Sequence, residues 1–162
     1  MEEAEKALAA AIADVKNIYD AGNTGDENYT SDSWKLFKDA YKAATAPASN
    51  ATADDLKTLA ENNLQDAKAN LKDAKVAAKE VLTAAVNSAE YKDIYDAGNA
   101  DETYTSDSWK VFADAYDAAK APAEDATVTK LGELLTDLQN AKANLKDAKV
   151  AAKEVLTAAV NS

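Results

Sequence analysis

The chain has no cysteine and no histidine among its 162 residues. Disulfides, thiolate nucleophiles, Cys/His zinc sites and imidazole general bases are therefore excluded. Arginine is absent too. All 18 basic residues are lysine, against 29 acidic ones, for a formal net charge of -11. Nucleic-acid binding leans on a positive footprint and guanidinium forks, so a nucleic-acid partner is not expected. An anionic membrane surface is repelled for the same reason, and no apolar run reaches spanning length, so no membrane partner is expected either. Glycine (four) and proline (two) are scarce, and aromatics make up 7%. With so few helix breakers and roughly a quarter of the residues alanine, far above ordinary usage, the composition is that of long helices with narrow seams. No cofactor is implied.

What is present is repetition. Residues 67–88 and 141–162 are the same string, AKANLKDAKVAAKEVLTAAVNS. Tyr29, Trp34, Phe37, Tyr41 and Pro47 recur 75 positions later as Tyr104, Trp109, Phe112, Tyr116 and Pro122. Ile18, Tyr19 and Gly22 recur 76 later as Ile94, Tyr95 and Gly98. Such a period reads as two units, 1–78 and 79–162, each near the lower size limit for an independent core. The first copy of the string runs into another unit at Ser88. The second copy is therefore expected to open a further one, with residues 151–162 projecting and frayed, and the chain to be a piece of a longer array. Neighbouring repeats of the same chain are the expected partners, and a monomer the expected state.

Leu8, Ala11, Ile12, Val15, Ile18 and Tyr19 fall at helical spacing, which predicts a first helix over 3–21. Gly22 and Gly98 sit where a left-handed residue ends a helix. Thr30 and Thr105 are the expected N-caps of second helices over 31–46 and 106–120. Tyr29 with Trp34, and Tyr104 with Trp109, then occupy the two positions of a hydrophobic staple. Phe37, Tyr41, Phe112 and Tyr116 continue the inward stripe. Thr52 and Asp55 approximate a capping box. From Leu64 onward the apolar residues settle into three-four spacing, as in a helical bundle. Between Pro47 and Gly98 there is neither Pro nor Gly, so a single helix is predicted over 53–97, on the order of 65 Å long. The last helix is predicted from Val128 to the C-terminus, with Gly132 as a soft spot and one residue fewer between Leu134 and Leu138 than between Leu59 and Leu64. The fold class is all-α: two tandem antiparallel three-helix bundles joined by a long continuous helix, spectrin-like in architecture.

Other readings of these residues are weaker. Trp34 and Trp109 share a helical face with Phe37 and Phe112, which favours staple and core over sugar-stacking platforms. Tyr29 and Tyr104, at the edge of that stripe, are the candidate ligand contacts. Asp20, Asn23, Asp26 and Glu27 offer oxygens of the kind calcium takes, but their spacing departs from the EF-hand pattern. The reading preferred there is a helix end followed by an acidic, solvated turn, and no metal ligand is assigned. No carboxylate pair is set apart as glycosidase chemistry requires, so no catalytic residue is assigned. Asn28-Tyr29-Thr30 and Asn50-Ala51-Thr52 match the glycosylation sequon, a pattern met often by chance. The Lys and Asp residues of ANLKDAKVAAKE are placed on an outward, solvated face.

Tyr-Thr-Ser-Asp-Ser-Trp at 29–34 and 104–109, the Phe and Tyr that follow, and Leu64-Gln-Asp-Ala67-Lys-Ala-Asn-Leu71 with its counterpart at 138–145 resemble the FIVAR modules ("found in various architectures"). The resemblance covers both units. It implies three-helix bundles of the kind found in large cell-wall-attached surface proteins of Gram-positive bacteria, and beside catalytic or sugar-binding domains in secreted glycan-active enzymes. The role it implies is a spacer or stalk, with adhesion to a host matrix protein or glycan for some modules, and it brings no catalytic residue. The expected function is a non-enzymatic, rod-like stalk segment at a bacterial cell surface that projects a head domain from the cell wall. The alternatives are a weak multivalent adhesive module, or an accessory domain of a glycan-active enzyme.

Overall fold

A computed structural model of the chain describes residues 1–24 and 28–160. Among them every regular element is helical, and the only β-type pairings are two isolated bridges. Among the described residues no helix is long and apolar enough to cross a membrane. The chain divides into two compact units, Met1–Ala77 and Ala78–Ser162, each with its own core.

In the first unit α1 (Glu2–Ala21) and α2 (Ser31–Thr45) present the stripes read from their spacing. Leu8 and Val15 of α1 meet Phe37, Tyr41 and Ala44 of α2. The third side is α3 (Ala53–Lys57), a π-helical stretch (Thr58–Gln65) and α4 (Asp66–Ala69), which bring Leu56, Ala60 and Leu64. Val15, Phe37 and Leu64 have no exposed surface. At the start of α3 the Thr52 side chain accepts from the Asp55 amide, and the Asp55 carboxylate accepts from the Thr52 amide. The Thr52 amide, and after it the Thr52 hydroxyl, which also donates to the Asp55 carboxylate (2.8 Å), hold that carboxyl below its ordinary pKa.

The second unit draws on α5 (Ala74–Asn87), inside which the division falls, then α6 (Ala89–Ala97), α7 (Ser106–Lys120) and α8 (Val128–Ala143). Leu82, Val86 and Tyr91 pack with Phe112, Tyr116, Leu131 and Leu138. After α8 comes α9 (Ala148–Val160), none of whose residues is buried.

The single helix expected over 53–97 does not form. It is interrupted at 70–73 and again at Ser88, and among the described residues the longest helix is α1, with 20 residues. Neither interruption needs Gly or Pro, because side chains take over the backbone groups that a helix end leaves bare. Asn70 donates its carboxamide N–H to the Asp66 carbonyl (2.7 Å), Asn144 does the same to Asn140 (2.8 Å), and Asn87 to Thr83 (3.0 Å). Ser88, in extended backbone, bonds the Ala85 carbonyl through its hydroxyl (2.8 Å). Asp73 is not part of a solvated helix face. Its carboxylate accepts from the Val76 amide (2.8 Å) and so caps α5.

The interruptions explain why the repeat spacing drifts. Ala4, Leu8 and Ile12 have their counterparts 74 positions later, at Ala78, Leu82 and Val86, whereas Val15 and Ile18 have theirs 76 later, at Tyr91 and Ile94. The second unit therefore carries two extra residues, Asn87 and Ser88. Two residues turn an α-helix by about 200°, which would send Tyr91 to the wrong side. The helix breaks at the insertion instead, and Tyr91 stays buried. Equivalent ion pairs survive across it: Lys68 to Asp14 (2.7 Å) in one unit, Lys142 to Glu90 in the other.

The third helix shows the complementary case. Leu56 to Leu64 spans eight positions, Leu131 to Leu138 seven. All four leucines are buried. Seven residues return an α-helix to nearly the same face, whereas an eighth adds about 100°. The first unit absorbs the extra residue by widening to a π-helix over Thr58–Gln65, and the second runs as unbroken α. π-Helical turns inside α-helices are rare, and an inserted residue is a direct cause.

Gly132 of α8 has open space around the position of a Cβ and ordinary helical backbone. Gly132→Ala is therefore expected to stabilise the second unit by about 0.5–1 kcal/mol through helix propensity and a less flexible unfolded chain. Urea unfolding followed by circular dichroism would measure it, and a lowered midpoint would contradict the open-space reading.

Candidate functional site

The Tyr-Thr-x-x-Ser-Trp motif lies against the interrupted third helix. Residues 28–30 run antiparallel to 72–74. The Thr30 amide donates to the Lys72 carbonyl (2.9 Å), and the Ala74 amide to the Asn28 carbonyl (3.2 Å). Ser33, one turn into α2, completes the latch. Its Oγ accepts from the Lys72 amide (3.1 Å), donates to the Thr30 carbonyl (3.1 Å) and lies 2.8 Å from Thr30 Oγ1. A serine has one hydroxyl proton, so with that proton on the Thr30 carbonyl the Thr30 hydroxyl donates to Ser33. Ser33 is buried, with its hydrogen-bonding capacity met inside the protein.

The second unit repeats this atom for atom. Thr105 donates to Lys146 (2.9 Å), Ala148 to Thr103 (3.0 Å), Lys146 to Ser108 Oγ (3.1 Å) and Ser108 to the Thr105 carbonyl (3.1 Å). Asp147 caps α9 as Asp73 caps α5, with Val150 as donor (2.9 Å).

A second device closes the loop before α2. The Asn23 carboxamide brackets the Tyr29 backbone, accepting from its amide (2.8 Å) and donating to its carbonyl (2.9 Å). Asn99 grips Tyr104 at the same two distances. The spans differ by one residue, six positions against five, so this clamp absorbs a further step in the repeat spacing. Gly22 and Gly98 ahead of it have φ of 71° and 67°, as a left-handed residue would, but ψ of -173° and -164°. That corrects the expected αL end. This corner of backbone space is open essentially to glycine alone, and it turns the chain so that the next asparagine faces Tyr29 or Tyr104. Asn99→Ala removes two half-buried bonds and is expected to cost the second unit about 2 kcal/mol. An unfolding midpoint within error of the parent would show that the clamp is dispensable.

Aromatic residues adjoin the latch in sequence. Tyr29 and Trp34 stack with centroids 6.0 Å apart and planes 6° from parallel, and Tyr104 and Trp109 at 6.2 Å and 8°. This is the contact expected of staple positions. All four are half-buried, so the tryptophans are neither wholly core nor open platforms. Phe37, Tyr41, Phe112 and Tyr116 are buried. Tyr41 stacks on Tyr19 at 3.9 Å, and Tyr116 on Tyr95 at 4.1 Å. The Tyr95 phenol donates to Asp117 (2.6 Å), a bond that raises its pKa, and burial raises that of Tyr116.

Thr30 and Thr105 stand at the N-cap position, but their side chains do not cap. Each hydroxyl goes to the serine three residues on. Ser33, Ser108, Asn23, Asn99, Asp73 and Asp147 carry the latch and clamp, a role the sequence by itself gives to none of them: Asn23 reads there only as a calcium donor, Asp73 only as part of a solvated face, and the serines only as letters of the repeated motif. The available signal was their recurrence at matching places in both units. Of the four oxygen donors considered for calcium, Asp20 is ion-paired with Lys16, and the Asn23 carboxamide oxygen receives the Tyr29 amide. Asp26 and Glu27 lie outside the described residues. No group of three or more acidic side chains placed to hold a metal occurs among the described residues.

The polar side chains of the latch thus bind backbone and one another. Together they tie the end of one helix, the start of the next and the entry to α2 to one another. No family model, no curated protein and no solved structure matches the chain.

Proposed function

We propose that the chain is a non-enzymatic structural repeat, a stalk or spacer segment of a large bacterial cell-surface protein that holds a head domain away from the cell wall. In this reading each unit is an antiparallel three-helix bundle resembling the FIVAR modules, set in tandem with its neighbours. The observation that carries it is the latch. Three insertions or deletions separate the units, yet the bonds that fix where the chain leaves each third helix agree to within 0.2 Å. A spacer must hold constant the point at which one unit hands over to the next, and that is where these bonds lie. In repeat arrays stability and length then grow unit by unit.

Small-angle scattering of chains carrying two, three and four units tests this. The maximum dimension should grow by a constant increment per unit. Growth that flattens as units are added, as for a collapsing cluster, would rule out a spacer.

A second reading, weak multivalent adhesion to a matrix protein or glycan, is supported by one feature. The Tyr29–Trp34 and Tyr104–Trp109 pairs are half-exposed, and Leu36 and Val111 are exposed at equivalent positions. Weak sites gain from such repetition. Surface plasmon resonance on matrix proteins and glycans, comparing the chain with a Tyr29→Ala, Tyr104→Ala form, separates the two: no binding by either form leaves the spacer reading alone.

A further inference from the structure

The helix α9 repeats α5 residue for residue from Ala148 to Val160, so α5 shows what that sequence does when covered. Val76 and Val150 are each 54% exposed, and Val81 and Val155 are both exposed, so these positions face outward in either helix. The difference is confined to one face. Leu82 and Val86 are 1% and 5% exposed, whereas Leu156 and Val160 are 65% and 77% exposed. Leu82 and Val86 sit in a core made with Phe112, Tyr116, Leu131 and Leu138 of α7 and α8, and the Tyr116 hydroxyl donates to the Val86 carbonyl (3.0 Å).

We propose that α9 is the preformed first helix of a further unit, and that its Leu156–Val160 face takes a segment of the α6–α8 kind joined in sequence after it. The complementary chemistry is defined by α5: one helix offering Phe and Tyr, a second offering leucines seven apart, and a tyrosine hydroxyl for the Val160 carbonyl. Two further observations support it. The start of α9 is held by the Ser108 latch and the Asp147 cap, as the start of α5 is held by Ser33 and Asp73, so the helix is fixed at its base without any partner. The expected projection of this segment is seen, since no residue of α9 is buried, and the helix continues to Val160; Asn161 and Ser162 lie outside the described residues. A helix with two large aliphatics in water and its first turn locked is ordered in advance for the contact that α5 makes.

This inference rests on reading the units as successive copies, and its test is separable from the test by length. Residues 89–162 are appended after Ser162, and unfolding is followed by calorimetry in the present and the extended chain, each with and without Leu156→Asp. Extension should raise the unfolding enthalpy about 1.5-fold, in proportion to the folded residues added. In the extended chain Leu156→Asp should abolish that increment, and in the present chain it should change nothing. An enthalpy unchanged by extension, an increment insensitive to Leu156→Asp, or a loss of stability from Leu156→Asp in the present chain would each overturn the proposal. The growth of length with unit number is read from scattering and can hold whichever of these results is found.

Discussion

Deleting Asn62 should leave the first unit folded, whereas deleting Thr136 should unfold the second. Both residues are exposed, and both sit between buried leucines of a third helix. The deletions differ only in register. Without Asn62 the interval from Leu56 to Leu64 falls to seven, the interval already present from Leu131 to Leu138, and the π-helical stretch has no surplus residue to hold. The first unit should keep its stability or gain up to about 1 kcal/mol as π turns become α turns. Without Thr136 the interval falls to six. Leu138, Ala141 and all that follows turn by about 100°, away from Phe112 and Tyr116. Loss of one buried leucine alone costs about 2–5 kcal/mol, and a unit near the lower size limit has little more than that. Each unit holds one tryptophan, so urea titrations of Trp34→Phe and Trp109→Phe forms assign the transitions. Unfolding of the first unit on loss of Asn62 would show that the π-helix is needed for some purpose other than register. A companion deletion of Asn87 with Ser88 should likewise be tolerated, fusing α5 and α6 into one helix with the spacing of α1.

Replacing Ser33 with alanine is expected to cost the first unit about 3 kcal/mol, and Ser108→Ala a similar amount in the second. Ser33 accepts from one amide, donates to one carbonyl and receives one hydroxyl. Alanine removes all three bonds and leaves the Lys72 amide, the Thr30 carbonyl and the Thr30 hydroxyl without them in a partly buried site. Each group left unsatisfied costs about 1–3 kcal/mol, less where water can enter. Native-state hydrogen exchange gives a local readout: the Lys72 and Thr30 amides should lose protection, and the first turn of α5 with them. Protection that persists in Ser33→Ala would mean that the antiparallel pairing of 28–30 with 72–74 suffices by itself.

The helices were legible wherever the core contact and the local signal agreed. Leu8 to Tyr19, Trp34 to Tyr41 and their counterparts carry a helical period and lie on buried or half-buried faces. Thr52 with Asp55 reads as a cap and is one. Misreading came where periodicity continued through a break. Leu71, Ala74 and Ala78 keep helical spacing across Asn70–Asp73, yet the helix stops there. The groups that stop it are Asn70 on a carbonyl four residues back, Asp73 on an amide three residues on, and Ser33, 39 positions away, on the Lys72 amide. The first two are weak local signals that most asparagines and aspartates in helices also carry. The third is invisible to any local window.

The sequence alone determined that the chain is helical, that it is built of repeated units, and that Phe37, Tyr41, Phe112 and Tyr116 go inside. These follow from composition, period and the cost of leaving apolar surface in water, and none depends on distant partners. Past the break at 70–73 the same period puts Val81 on the inner face, where the structure has Leu82 and Val86. Tertiary structure decided where the helices end. An inserted residue in a helix can break it, widen it or turn its far side outward, and all three obey the local rules equally well. The packing of Leu64, Tyr91 and Leu138 against a fixed core selected among them: a π-helix in one unit, a break at Ser88 in the other, and a latch on Ser33 and Ser108 where each third helix hands the chain onward.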